Sequence, residues 1–130
     1  MREILCRGKR KCIGGEWAEG YLLYDEEKNE AFIAESFEDR AAYIREVNPD
    51  TVGQYTGRTD RNDKRMFEGD IVTGLFLFGL SVNAVVTFQN GAFGLEWYRG
   101  DIKTFNAFTS ICNVEYEVIG NVTDNPELLN

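Results

Sequence analysis

The stretch Ala84-Val85-Val86-Thr87-Phe88-Gln89-Asn90-Gly91-Ala92-Phe93-Gly94-Leu95-Glu96-Trp97-Tyr98 decides the fold class. Both of its arms are rich in β-branched and aromatic residues, which fit a pleated, half-buried surface. Between them, Asn90-Gly91 supplies the two positive φ angles that a type I′ turn demands, and that turn matches the twist of paired strands. The segment reads as strand, tight turn, strand. C-terminal to it, Glu115-Tyr116-Glu117-Val118-Ile119-Gly120-Asn121-Val122 alternates polar and apolar side chains as a last strand. The tail Thr123 to Leu129 carries Pro126 and leaves the sheet as a turn or short helix.

The N-terminal half repeats the pattern in shorter pieces. Arg2 to Arg7 reads as an edge strand, and Gly8 with the basic run after it reads as a turn ending at Gly14-Gly15. Glu16 to Tyr24 and Ala31 to Ala34 flank the polar Asp25-Glu26-Glu27-Lys28-Asn29, the pattern of a hairpin. Ser36 with Asp39 and the spacing of Phe37, Ala41 and Ile44 suits a helical turn, while Tyr43 to Val47 before Asn48-Pro49 suits a strand. The expectation is a helical turn followed by a strand. Thr51 to Thr56 is a further strand, Gly57 to Arg65 a polar hairpin loop, and Glu68-Gly69-Asp70 a turn before the strand that opens at Ile71.

Composition agrees with this pattern. Two Pro against 13 Gly, with 9 Phe, 6 Tyr and 2 Trp in 130 residues, describes short strands joined by tight turns around one core. The formal charge of −8 repels phosphate backbones and anionic membranes, so nucleic acid is disfavoured as a partner. The apolar run from Ile71 to Val86 is interrupted by Thr73, Gly74, Gly79, Ser81 and Asn83, and is too broken for a membrane helix. Cys6, Cys12 and Cys112 form an odd set with no secretory signal before them, which points to reduced thiols and the cytoplasm.

Catalytic patterns are hard to build from this inventory. The chain has no His, so Ser-His-Asp and Cys-His arrangements are excluded, and a zinc site would need a carboxylate or water beside the thiols. Asp60-Arg61-Asn62-Asp63 invites a calcium loop, but that register places Lys64 and Arg65 where a ligand and a glycine belong. Glu68 and Asp70 suit a turn better than an acid/base pair. Cys6 and Cys12 flank a basic run that would favour a thiolate, though a packed strand cysteine is the simpler account. Gly14-Gly15 leads to a strand and lacks the ending of a phosphate loop. No catalytic, cofactor or metal residue is therefore expected.

Two basic stretches remain: Arg7, Lys9, Arg10 and Lys11, then Arg58, Arg61, Lys64 and Arg65. With Trp17, Tyr55, Trp97 and Tyr98 they have the ingredients of a single-strand nucleic-acid face, in which bases stack on aromatic rings. The opposing account is that strand aromatics belong to the core and that Lys and Arg at edges discourage edge-to-edge pairing.

Val52-Gly53-Gln54-Tyr55-Thr56-Gly57, Phe67-Glu68-Gly69-Asp70-Ile71-Val72, and Val118 to Val122 followed by Asn125-Pro126-Glu127-Leu128 together resemble the YopX family of small phage and prophage proteins. Arg2-Glu3-Ile4, Arg7-Gly8-Lys9-Arg10 and Gly15-Glu16-Trp17 extend the resemblance over most of the chain, with a gap around residues 25 to 42. Asn62-Asp63 departs from the Asn-Gly usual there. The resemblance implies a β-rich single domain with an N-terminal β part over 1–56 and an SH3-like barrel part over 57–130, with no established activity and no site residues to carry over. The expectation is a non-enzymatic protein of a phage or prophage that binds protein or self-associates through sheet edges or the loop from Gly57 to Arg65. Nucleic-acid binding through residues 7–11 and 58–65 is the alternative.

Overall fold

Eleven strands joined by tight turns make up the computed structural model, which describes residues 4–12, 14–36, 42–77, 80–110 and 116–129. The helical segments among them are short 3-10 turns, and the strands form two antiparallel sheets. The mainly β expectation holds. The chain divides into two units, Met1–Tyr55 and Thr56–Asn130.

In the first unit, β1 (Cys6–Lys9), β2 (Trp17–Asp25), β3 (Glu30–Ser36), β4 (Ala42–Val47) and the start of β5 (Gly53–Thr59) line up in the order β4-β3-β2-β1-β5. The hairpin expected around residues 25–29 joins β2 to β3. Its turn is held by Asp25, whose carboxylate accepts from the Glu27 and Lys28 amides, and it closes at Asn29 with φ of 50°. Beyond β1 the chain meets the far end of β4: Arg10 bridges Val47, the Lys11 amide donates to Glu46, and the Asn48 amide donates to Lys9. The sheet therefore curls back on itself, and its inner face carries small residues, Gly8, Ala18, Gly20 and Ala31, with Ile33 and Val47.

Gly8 was expected in a turn but lies inside β1. A Cβ there would sit 2.7 Å from the Val47 side chain, so the curled sheet admits only glycine. The strand expected before Pro49 is β4, and Pro49 opens a 3-10 turn capped by Asn48. The helical turn expected around Phe37 to Ala41 lies outside the described residues, as does Cys112.

In the second unit, the continuation of β5 pairs with β6 (Arg65–Phe67). The strands β7 (Asp70–Leu77), β8 (Leu80–Gln89), β9 (Ala92–Arg99), β10 (Ile102–Ala107) and β11 (Glu117–Asn121) form a sheet in the order β10-β9-β8-β7-β11. The Asn90-Gly91 turn is as expected, with φ of 51° and 80°, and brings Gln89 opposite Ala92. Phe88 and Phe93 meet edge to face across it. One face of this sheet holds a core of Met66, Val72, Ala84, Val86, Leu95, Trp97, Phe108 and Tyr116. The described pairings leave β10 and β11 as the two edges of the sheet.

The polar loop expected from Gly57 to Arg65 is shorter than it reads. β5 runs through Thr59, absorbing Gly57 at φ of 87°, and Arg65 already belongs to β6. β10 was not anticipated, because Ile102-Lys103-Thr104-Phe105-Asn106-Ala107 has little apolar alternation and owes its conformation to pairing with β9.

Candidate functional site

The two basic stretches fall in different units, and several of their cations face carboxylates or rings of this chain. Arg10 lies 3.7 Å from Glu16, Lys11 lies 3.4 Å from Glu46, and Arg61 pairs with Glu117. The Arg7 guanidinium covers the Trp17 ring at 4.8 Å, and Arg58 covers Phe108 at 5.0 Å. The backbone of Lys9 donates to Thr51 Oγ1, and Lys64 lends its charge to Asp60. Trp97 is 5% exposed and belongs to the core, so its ring offers no platform for a base, whereas Tyr98 is exposed and Trp17 and Tyr55 are half-buried. Pairs exposed like these contribute only about 0–1 kcal/mol each, but they do lower the local positive field.

The loop between β5 and β6 is built around Asp60, which is 7% exposed. One of its oxygens accepts from the Asn62 and Lys64 amides, and the other accepts from the Val118 amide 58 residues away. Burial pushes the Asp60 carboxyl upward, but those amides and the Lys64 charge outweigh it and hold the group below its usual 3.8. Nearby, the Arg61 amide donates to the Tyr116 carbonyl. The Tyr116 hydroxyl is buried without a hydrogen-bond partner among the described residues, and burial raises it despite Arg58. Asp60 thus ties the loop to β11 from beneath, while Gly57 to Thr59 and Arg61 to Arg65 remain exposed.

The other candidate groups are structural as well. Asp70 is buried and accepts from the Phe67 amide, so the Glu68-Gly69-Asp70 segment is a turn. The Gly69 amide donates to Val86 and the Gly69 carbonyl accepts from Val122, which joins the turn to β8 and to the end of β11. Cys6 packs on the core of the first unit, and Cys12 is exposed. No group of three potential metal ligands occurs among the described residues.

A surface that the sequence reading missed lies on the outer side of β2, β3 and β4. Strand pairing places Tyr21 beside Ala34 and Ile44, and Leu23 beside Phe32. Tyr21 is 57% exposed, Leu23 49% and Ile44 60%. Together they expose on the order of a few hundred Å² of apolar surface, the size at which such patches mark contact sites. The signal was available in Tyr21-Leu22-Leu23-Tyr24, a run without alternation, which a strand solvated on one face should not contain.

The same fold occurs in two solved proteins, both matched over the full length of this chain. The crystal structure of protein EF1440 from Enterococcus faecalis is 21% identical, with a TM-score of 0.61 and 100% of that chain covered. Protein yopX from Bacillus subtilis is 18% identical, with a TM-score of 0.59 and 98% covered. No curated protein matches this sequence. A family model described as YopX protein matches residues 11–130.

The chain belongs to the YopX family. The stretches that resembled YopX proteins are structural in this member. Phe67 to Val72 and Val118 to Val122 meet at Gly69 and, through β7 and β11, in the sheet. Asn125 seats its side chain where Gly120 leaves room, and Leu128 accepts from the Asn83 side chain at 2.8 Å. Among the described residues, no helix of this YopX protein is long and apolar enough to cross a membrane.

Proposed function

We propose that this YopX protein is a non-enzymatic module of a phage or prophage, working in the bacterial cytoplasm, that binds protein and first of all a second copy of itself. The observation that carries the reading is the outer apolar face formed by Tyr21, Leu23, Phe32, Ala34 and Ile44. Its middle row of Tyr21, Ala34 and Ile44 is uncharged, and the Glu46 beside Phe32 is paired with Lys11 at 3.4 Å, so two copies with a net charge of −8 can meet there with little like-charge repulsion. A two-fold contact uses the same patch on both copies. The patch falls short of the roughly 800 Å² per partner of a stable interface, so the association is weak and depends on concentration. The absence of His from the chain and the bacterial origin of the two solved relatives support the rest of the reading. Nucleic-acid binding has less support, because cations at Arg10, Lys11 and Arg61 already face carboxylates.

Light scattering over a concentration series tests the self-association. The expected mass rises above that of a monomer at high concentration and returns to it in the double variant Leu23→Lys/Ile44→Lys with an unchanged circular dichroism spectrum. A wild-type monomer at every concentration overturns it. A gel shift with single-stranded oligonucleotides that weakens with salt would favour the alternative.

A further inference from the structure

We propose that the cleft beside the far end of the β2–β3 hairpin receives an arginine or lysine side chain from an extended basic segment of a partner protein. This assignment rests on the protein-binding reading but uses the opposite face of the hairpin. The cleft measures about 300 Å³ and is lined by Leu22, Tyr24, Pro49 and Val52, with Asn29 and Asp50 as its polar members. That volume is at the small end for ligand sites and suits one long side chain better than a cofactor.

The walls are already set for such a guest. The Tyr24 hydroxyl donates to Asn29 Oδ1 at 2.7 Å, which fixes the ring although the residue is 53% exposed. Pro49 is rigid, and the Asp50 amide is held by the Asn48 side chain at 3.1 Å. The Asp50 carboxylate has no ion-pair or hydrogen-bond partner among the described residues. Asp25, Glu26, Glu27 and Glu30 follow one another around the adjoining turn with Lys28 as the one cation, so the surroundings are strongly negative.

An apolar wall, an aromatic face and an unpaired carboxylate in a negative field select a cation on an aliphatic stem. Its methylenes pack on Leu22, Pro49 and Val52, while its head meets Tyr24 and Asp50. An acidic guest is repelled, and a purely aliphatic one leaves the carboxylate without a partner.

The test is an NMR titration of the isotopically labelled full chain with a short peptide of alternating Arg and Leu, set against one of alternating Glu and Leu. The Arg peptide is expected to shift the amides of Leu22, Tyr24, Asn29, Asp50 and Val52, and to bind more weakly as salt rises. Asp50→Asn, a conservative change at an exposed position, is expected to weaken it about threefold to fivefold. Tyr24→Ala is expected to weaken it about fivefold to tenfold. Equal binding of the two peptides, no binding of the Arg peptide at millimolar concentration, or an unaltered affinity in Asp50→Asn overturns the proposal. Shifts confined to the outer face around Tyr21 and Ile44 also remove the cleft, but leave the protein-binding reading standing.

Discussion

The two sheets of this protein handle the same kinds of residue in opposite ways. In the second unit, large side chains such as Leu95, Trp97 and Phe108 gather on one face and form a core of eight buried residues. In the first, the buried cluster among the described residues is Ala18, Ala31, Ile33 and Val47, while Tyr21, Leu23 and Ile44 stand outside. Curvature explains the difference. Where the sheet curls on itself its inner side chains crowd together until glycine and alanine are what fit, as at Gly8 against Val47, while Leu22 and Tyr24 of the same face reach the open cleft at the end of the hairpin. A small interior and an exposed apolar exterior thus occur together in one unit, and the larger buried core lies in the other.

The sharpest way to break this comparison is to truncate equivalent leucines. Leu95→Ala should destabilise the second unit by about 2–5 kcal/mol in urea unfolding, because it opens a cavity in a filled core. Leu23→Ala should stay within about 0.5 kcal/mol, as exposed sites do. Similar losses at the two positions would mean that the outer face of the first unit is covered after all. Next in size is Asp60→Ala, expected to lose about 1.5–3 kcal/mol by stranding amides that bond to a charged oxygen.

The Asp60 carboxyl also gives the second unit an acid limb. Its proton affinity is lower in the folded chain than in the unfolded one, so its contribution is fully present above the unfolded value near 3.8 and is lost as pH falls through the folded value. Acid titration followed by tryptophan fluorescence should show that limb below about pH 4 and its reduction in Asp60→Asn. Gly8→Ala should lose about 1–3 kcal/mol through overpacking against Val47 and recover part of it in Gly8→Ala/Val47→Ala, which sharpens the curvature argument. Smallest is Tyr116→Phe, expected to be neutral or to stabilise by up to about 1 kcal/mol, since it removes a buried hydroxyl that lacks a partner.

Much of the fold is legible residue by residue. Asn90-Gly91 marks its turn because few other pairs take two positive φ angles, and Asp25 to Asn29 marks another through its side-chain bonds to its own backbone. Less legible was β10, whose residues are strand-like only beside β9. The Gly57–Arg65 loop reads as polar and is exposed, but nothing in its sequence shows that Asp60 is buried at its base and bonded to Val118. The outer face was partly visible in the unbroken run Tyr21 to Tyr24, but nothing local tells which of those side chains points inward.

By itself the sequence determined a mainly antiparallel β protein, the positions of its tightest turns and the absence of any histidine-based chemistry. These follow from backbone preferences and residue inventory, which act within a few positions along the chain. Only the tertiary structure decided that Gly8 faces Val47, that Asp60 reaches Val118, and that Tyr24 borders Asp50 in a cleft. Each of those contacts joins segments far apart in sequence, so burial and charge at each position depend on partners that no local pattern names.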